Sequence, residues 1–218
     1  MKKMIIVLGF LIGGYGSALA QSTAFRYIIG ETHKVYASPT FDNFCMGLGM
    51  DRSFNDRLTV GFDITYDIGH ALKASPEYIY LTYGGRSGNY QVEPRLLSLN
   101  YHTEYAIGDD GGLHGYIGTY VGLRRITQKW TLSDSYYGGV PSPFAATKSV
   151  AKMLVPIGLR MGFRGATDGG FMDLYAAVGY QIGGGKPIVE ETRYNSKEPY
   201  METSSLAVSI GLAYGIGW

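Results

Sequence analysis

Ionisable side chains recur in this sequence at positions that a period-two pattern would turn to one side. They are Asp51, Asp63, Asp67, His102, Glu104, His114, Arg124, Lys152, Arg160, Arg164 and Asp173. Both signs are present, and a charge held away from water needs a partner because desolvating it alone is costly. One chemistry open to such a set is a mutual salt-bridge network; another is a pore whose charged rings select ions. Other chemistries lack their residues. His102 and Glu104 stand two apart, which makes a polar ladder on a strand and no metal-ligand spacing. Gly183-Gly184-Gly185-Lys186 is not a phosphate loop, because the first glycine of that motif, the Ser or Thr after lysine and the following helix are all absent. No metal spacing or dinucleotide fingerprint is found, and no cofactor is expected. The formal charge of +1 gives no excess that would attract nucleic acid, and none is expected as a partner.

The elements that would place these charges are strands. Leu206, Val208, Ile210, Leu212, Tyr214, Ile216 and Trp218 alternate with Ala207, Ser209, Gly211, Ala213, Gly215 and Gly217. Alternation over 151–163 sets Ala151, Met153, Val155, Ile157, Leu159, Met161 and Phe163 against a face holding Lys152 and Arg160. Further strands are expected at 44–51, 58–68, 97–107, 113–124 and 172–182, with an eighth, less regular one near 24–32. The chain holds 32 glycines, about twice the usual share of roughly 7%. Each would cost a helix about 1 kcal/mol. With 19 tyrosines the composition argues for a curved sheet with aromatic rims. Opposite the apolar face lie glycine, alanine, serine and charges of both signs. That suits the inside of a small barrel whose apolar face meets lipid; a soluble barrel with an apolar cavity would invert it.

The connections agree with this orientation. Tight turns at 52–57, 108–112 and 165–170 alternate with long connections near 69–91, 128–149 and 184–203. Short turns on one side and long loops on the other are the outer-membrane arrangement, the short side periplasmic and the long side extracellular. The expected fold is therefore all-β: a closed antiparallel transmembrane β-barrel of about eight strands. A stretch at 77–83, followed by Gly84 to Gly88, is too short to cross a bilayer and is expected as a hairpin above it, with ten strands as the alternative. The start of the chain is expected to be a signal peptide. Lys2 and Lys3 precede a short apolar run, Ala18-Leu19-Ala20 fits cleavage, and the barrel would occupy 21–218. Its loss would move the formal charge from +1 to −1. Cys45 is the only cysteine, which excludes an internal disulfide, and it does not follow the cleavage site as a lipid anchor would.

Tyr214, Ile216 and Trp218, with an aromatic last residue, resemble the terminal signal of bacterial outer-membrane barrels, and the resemblance implies recognition by the barrel-assembly machinery. The mature chain resembles the small Gram-negative group that includes the outer-membrane protein X type and the transmembrane domain of outer-membrane protein A. Its glycine and tyrosine content is similar to that of barrels from Bacteroidetes-like bacteria. The resemblance rests on architecture over 21–218 and implies the cell outer membrane, with lipid and lipopolysaccharide as surroundings. The expected function is structural or surface-interacting, with a charged network plugging a lumen that eight strands leave just filled. Trp130, Tyr136, Tyr137 and Phe144 are candidate loop contacts for an extracellular partner. A porin-like small-solute channel is the alternative, and a lipid A-modifying enzyme the second alternative. The lipid A deacylase family uses a His-x-Ser pair, and none of His33, His70, His102 and His114 has that serine, so no enzyme is expected.

Overall fold

Alternating sequence becomes ten strands in the computed structural model, which describes residues 22–36, 43–69, 77–83, 86–108, 112–132, 147–186, 193–194 and 202–217. The expected signal peptide and Trp218 lie outside the described residues. The strands are β1 (Ser22–Tyr36), β2 (Cys45–Ser53), β3 (Leu58–Asp67), β4 (Glu77–Tyr83) and β5 (Arg86–Ile107). They continue with β6 (Leu113–Leu132), β7 (Thr147–Thr167), β8 (Gly170–Ile182), β9 (Arg193–Tyr194) and β10 (Thr203–Gly217).

Eight of them close a ring. The order runs β3-β2-β1-β10-β8-β7-β6-β5, and β5 returns to β3 by pairs from Leu58↔Tyr105 to Tyr66↔Leu97. Every neighbouring pair is antiparallel. Closure removes the unpaired edges that an open sheet would expose. β4 stays outside the ring: it pairs with residues 86–92 of β5 on one side and with β9 on the other. The sheet thus has ten strands and the barrel eight. Residues 86–96 of β5 run on past the last pair with β3, and β6 and β7 run on beside them, still paired. One wall therefore stands taller than the rest.

The ring is inside out with respect to a water-soluble protein. Leu48, Leu113, Phe163, Tyr180 and Leu174 are between 54 and 61% exposed, and apolar outward residues continue around all eight walls. A soluble monomer rarely shows contiguous apolar patches above a few hundred Å². Burying one such side chain fully is worth about 1.5–3 kcal/mol, and only a hydrocarbon surrounding supplies that here.

The turns at one end are short. Asn55 closes the β2–β3 connection, its Oδ1 accepting from the backbone N–H of Arg57 (2.9 Å) and Leu58 (2.7 Å). Gly169, at φ +82°, is one of two residues between β7 and β8, a conformation that side chains other than glycine's rarely adopt. Longer connections lie at the opposite end.

β1 departs from strict alternation. It shifts register against β10 between Ile28 and Gly30, and against β2 between Ile28 and Glu31. Before this bulge Arg26 and Ile28 point inward; after it Glu31, His33 and Val35 do, so the inward parity changes from even to odd.

Candidate functional site in the barrel lumen

Alternation delivers one inward side chain every second residue, and small residues make room for large ones. A Cβ on Gly61 would collide with His102 and Asp51, and one on Gly211 with the ring of Tyr175. In the half of the lumen nearer the short turns, this arrangement gathers four carboxylates, three guanidinium groups and one imidazole, none of them more than 9% exposed.

Arg26 of β1 is central. Its Nη2 donates to Asp173 Oδ2 at 2.7 Å, and Nη1 lies 3.4 Å from Asp51 Oδ1 and 3.5 Å from Asp63 Oδ2. Arg160 reaches Glu104 Oε1 (3.1 Å), Asp63 Oδ2 (3.2 Å) and Asp173 Oδ2 (3.4 Å). Arg164 reaches Glu104 Oε2 (2.7 Å), Asp51 Oδ2 (2.8 Å) and Asp173 Oδ2 (3.4 Å). His102 stands among three of the acids, 3.3 to 3.4 Å from Asp51, Glu104 and Asp63. Aromatic rings pack around the cations. Arg160 lies 3.8 Å from the centroid of Tyr175 and Arg164 4.4 Å from that of Phe171, and the Tyr116 hydroxyl donates to Asp173 Oδ1 at 2.8 Å. Each carboxylate meets at least two of the arginines, so removing one residue leaves several charges short of a partner.

Asp51, His102 and Glu104 each bring a ligand atom within 4.8 Å of the others, a spacing that could surround a metal ion. Cations of the protein occupy that surrounding: Arg26 Nη1 is 3.1 Å from His102 Nε2, and Arg164 Nη2 is 2.8 and 2.7 Å from Asp51 and Glu104. The chemistry of the trio as built is ion pairing.

Farther from the short turns the lumen changes character. Arg124 donates from Nη1 to Gln181 Oε1 (3.0 Å), Gln181 donates to the Ser204 carbonyl (2.8 Å), and Glu31 faces His33 at 3.3 Å. Above these, Val35, Tyr36, Cys45, Leu96, Ile126 and Leu154 form a buried apolar layer. Cys45 belongs to that layer.

The residues singled out from sequence divide accordingly. Asp51, Asp63, His102, Glu104, Arg160, Arg164 and Asp173 come together. Arg124 is buried in the middle layer, apart from them. Asp67 is buried at the far end of β3, where its Oδ1 accepts from the Gly69 N–H at 2.8 Å. Lys152 is half-buried and donates to the Lys186 carbonyl (2.8 Å) and Thr203 Oγ1 (3.0 Å), a tie between β7 and the start of β10. His114 lies half-buried near the short turns and enters none of these ion pairs. Tyr214 and Ile216 are on the outward face of β10, Ile216 at 37% exposure. Trp130 falls in β6, with its side chain outside the described part, and Tyr136, Tyr137 and Phe144 lie outside the described residues. Sequence reasoning does not place Arg26, Glu31 and His33 in the inward set. The signal for them is a lone arginine at even parity followed, across Ile29-Gly30, by a glutamate and a histidine at odd parity.

No family model matches the chain, and no curated protein matches it in sequence. Among solved structures it is similar to Neisserial surface protein A, at 13% identity and TM-score 0.47, over 90% of this chain and 94% of that one. It is also similar to Ail, the attachment invasion locus protein of Yersinia pestis (10% identity, TM-score 0.47, 90% of this chain and 97% of that one). The N-terminal β-barrel domain of Pseudomonas aeruginosa OprF aligns at 14% identity and TM-score 0.40, over 91% of this chain and 99% of that one. The closed eight-stranded ring itself rests on this chain's own strand pairing.

Proposed function

We propose that this chain is an outer-membrane barrel whose lumen is plugged by its charged network and whose tall wall carries extracellular loops to a partner at the cell surface. The observation that supports the plug is the density of pairing in the lower lumen. Arg26, Arg160 and Arg164 share Asp51, Asp63, Glu104 and Asp173 at 2.7 to 3.5 Å, and aromatic rings pack against the guanidinium groups. An eight-stranded barrel has an interior just wide enough for its side chains. An ion crossing it would have to separate charges that are costly to leave alone.

The apolar outer face supports residence in a bilayer, and the short turns at one end support placing that end in the periplasm. Residues 1–20 would be removed during export, and the residues around Tyr214, Ile216 and Trp218 would present the last strand to the assembly machinery. Outer-leaflet lipid and lipopolysaccharide surround the belt, and Trp130, Tyr136, Tyr137 and Phe144 are the side chains proposed to meet a partner. The function is non-enzymatic.

Single-channel recording from the heat-modifiable barrel in a planar bilayer tests the plug, with wild type and Arg160→Ala compared. Wild type is expected to stay silent. Steady wild-type openings whose size or ion preference changes in Arg160→Ala would overturn the plug and make this a selective channel.

A further inference from the structure

The outward face of the tall wall turns from apolar to cationic at one level. Going away from the short turns, the outward series of β5 runs through Ile107, Tyr105 and Leu97 to Arg95. That of β6 runs through Ile117, Val121 and Leu123 to Arg125. Each arginine is the first outward cation above a mainly apolar stretch. From Ile107 to Leu97, at about 3.3 Å per residue and a strand tilt of about 40°, the climb is about 25 Å. That is the height of the apolar band of an outer-membrane barrel. Arg95 and Arg125 therefore stand where hydrocarbon ends and lipid headgroups begin.

The register sets the two side by side. Arg125 is opposite Leu97 on β5, and Tyr66 of β3 meets Leu97 from the other side, so the three form one row. Arg95 lies two residues along β5 from Leu97, diagonal to both Tyr66 and Arg125, and diagonal neighbours on one face are about 7–8 Å apart. Its Nη1 donates to the Tyr66 hydroxyl at 3.4 Å, which leaves the phenol's own proton available. Both arginines are exposed, and neither makes an ion pair among the described residues. Glu93, the next outward residue of β5, faces Lys129 across the ladder, so the patch keeps a net positive charge.

We infer that Arg95 and Arg125, with the Tyr66 hydroxyl, clamp a phosphate of lipopolysaccharide in the outer leaflet, the acyl chains lying on the apolar wall below. A guanidinium fork binds phosphate through two parallel N–H donors, and two long arginine side chains at this spacing converge on one group. The apolar wall directly beneath, with Leu97 at 37% and Leu123 at 41% exposure, selects a lipid over a soluble phosphate. The inference rests on the bilayer reading proposed above, and it fixes one headgroup on one wall.

The test titrates the full barrel, folded in a non-ionic detergent, with bisphosphorylated lipid A and with the same lipid stripped of phosphate. Bound lipid is counted by native mass spectrometry, and heat-modifiability checks that each variant is folded. The dissociation constant for lipid A is expected to rise about fivefold in Arg95→Gln and again in Arg95→Gln/Arg125→Gln. It is expected to change by less than about twofold in Lys34→Gln, which removes an outward cation across the ring on β1. The dephosphorylated lipid is expected to bind wild type no better than lipid A binds the double variant, and excess inorganic phosphate to leave bound lipid in place. Equal affinity of wild type and double variant, an equal loss in Lys34→Gln, or displacement by inorganic phosphate would overturn the clamp. Failure of wild type to insert into lipid vesicles would sink the bilayer reading and the clamp with it, whereas insertion with any of those results sinks the clamp alone.

Discussion

Arg26 touches Asp51, Asp63 and Asp173 from a single side chain, so its loss is felt in three places at once. Replacing it with leucine keeps much of the volume and strands the acids without one of their cations. Arg26→Leu is expected to lower stability by about 3–5 kcal/mol, read from urea unfolding in lipid vesicles. An unchanged midpoint would mean that the acids are satisfied without it. The outer face obeys the opposite rule. Leu159 is 48% exposed in the middle of β7, and Leu159→Arg is expected to cost about 2–4 kcal/mol in a bilayer. The same assay measures it, and a negligible cost would place that face in water. How far the lumen is legible in the sequence depends on strand regularity. Asp63 and Asp173 sit on strands whose alternation is unbroken, so their side of the wall can be read directly. Arg26 and His33 cannot be read that way, because they lie on either side of a slip in parity.

That slip belongs to the element scale. β3, β7 and β10 keep one parity through their membrane-spanning lengths, and period-two reasoning finds them and their faces. β1 has two parities joined at Ile28-Ile29-Gly30, so a single template matches only half of it and its strength as a strand looks poor. The bulge has a physical role: it lets one strand send Arg26 into the lower network and Glu31 and His33 into the middle layer. Deleting Ile29 would remove the extra residue and leave a strand of one parity, with Ile28, Glu31 and His33 still turned inward. The expected result is a retained heat-modifiable folded band on gel electrophoresis, whereas an alanine inserted between Glu31 and Thr32 turns His33 and Val35 toward lipid and loses it. Loss of that band in the deletion would show that the bulge itself is needed for closure. β4 can be placed from sequence for another reason. Its seven residues are too few to span a bilayer, and the pairing with β5 above β3 sets it outside the ring as that length predicts.

At the scale of the whole molecule, ring and tall wall are separable. The closed eight-stranded ring lies below the level at which β4 pairs, so breaking β4 should leave the ring intact. Tyr80→Pro, opposite Asn89, is expected to preserve heat-modifiability and the urea midpoint within about 0.5 kcal/mol, the range of changes away from structural features. Limited proteolysis above the membrane should rise at the same time. A collapse of the barrel would show that the wall contributes to closure. The ring could be reasoned from the sequence because lipid forces one periodicity on every wall. Of the wall above, the short hairpin at 77–83 could be reasoned from its length, whereas its further pairing with β9 could not, because no bilayer constrains that edge.

The seam of the ring joins β1 to β10, where Ala24 meets Gly217. Nearly the whole chain lies between those partners, so this is the last pairing that synthesis makes available, and it sets an order in time. Until β10 arrives, β1 presents an open edge, and in hydrocarbon each unsatisfied backbone group there costs several kcal/mol. A half-built barrel therefore has no resting place in the bilayer. Insertion and closure must be nearly simultaneous, and the unfinished chain has to be kept from pairing with a stranger in the interval.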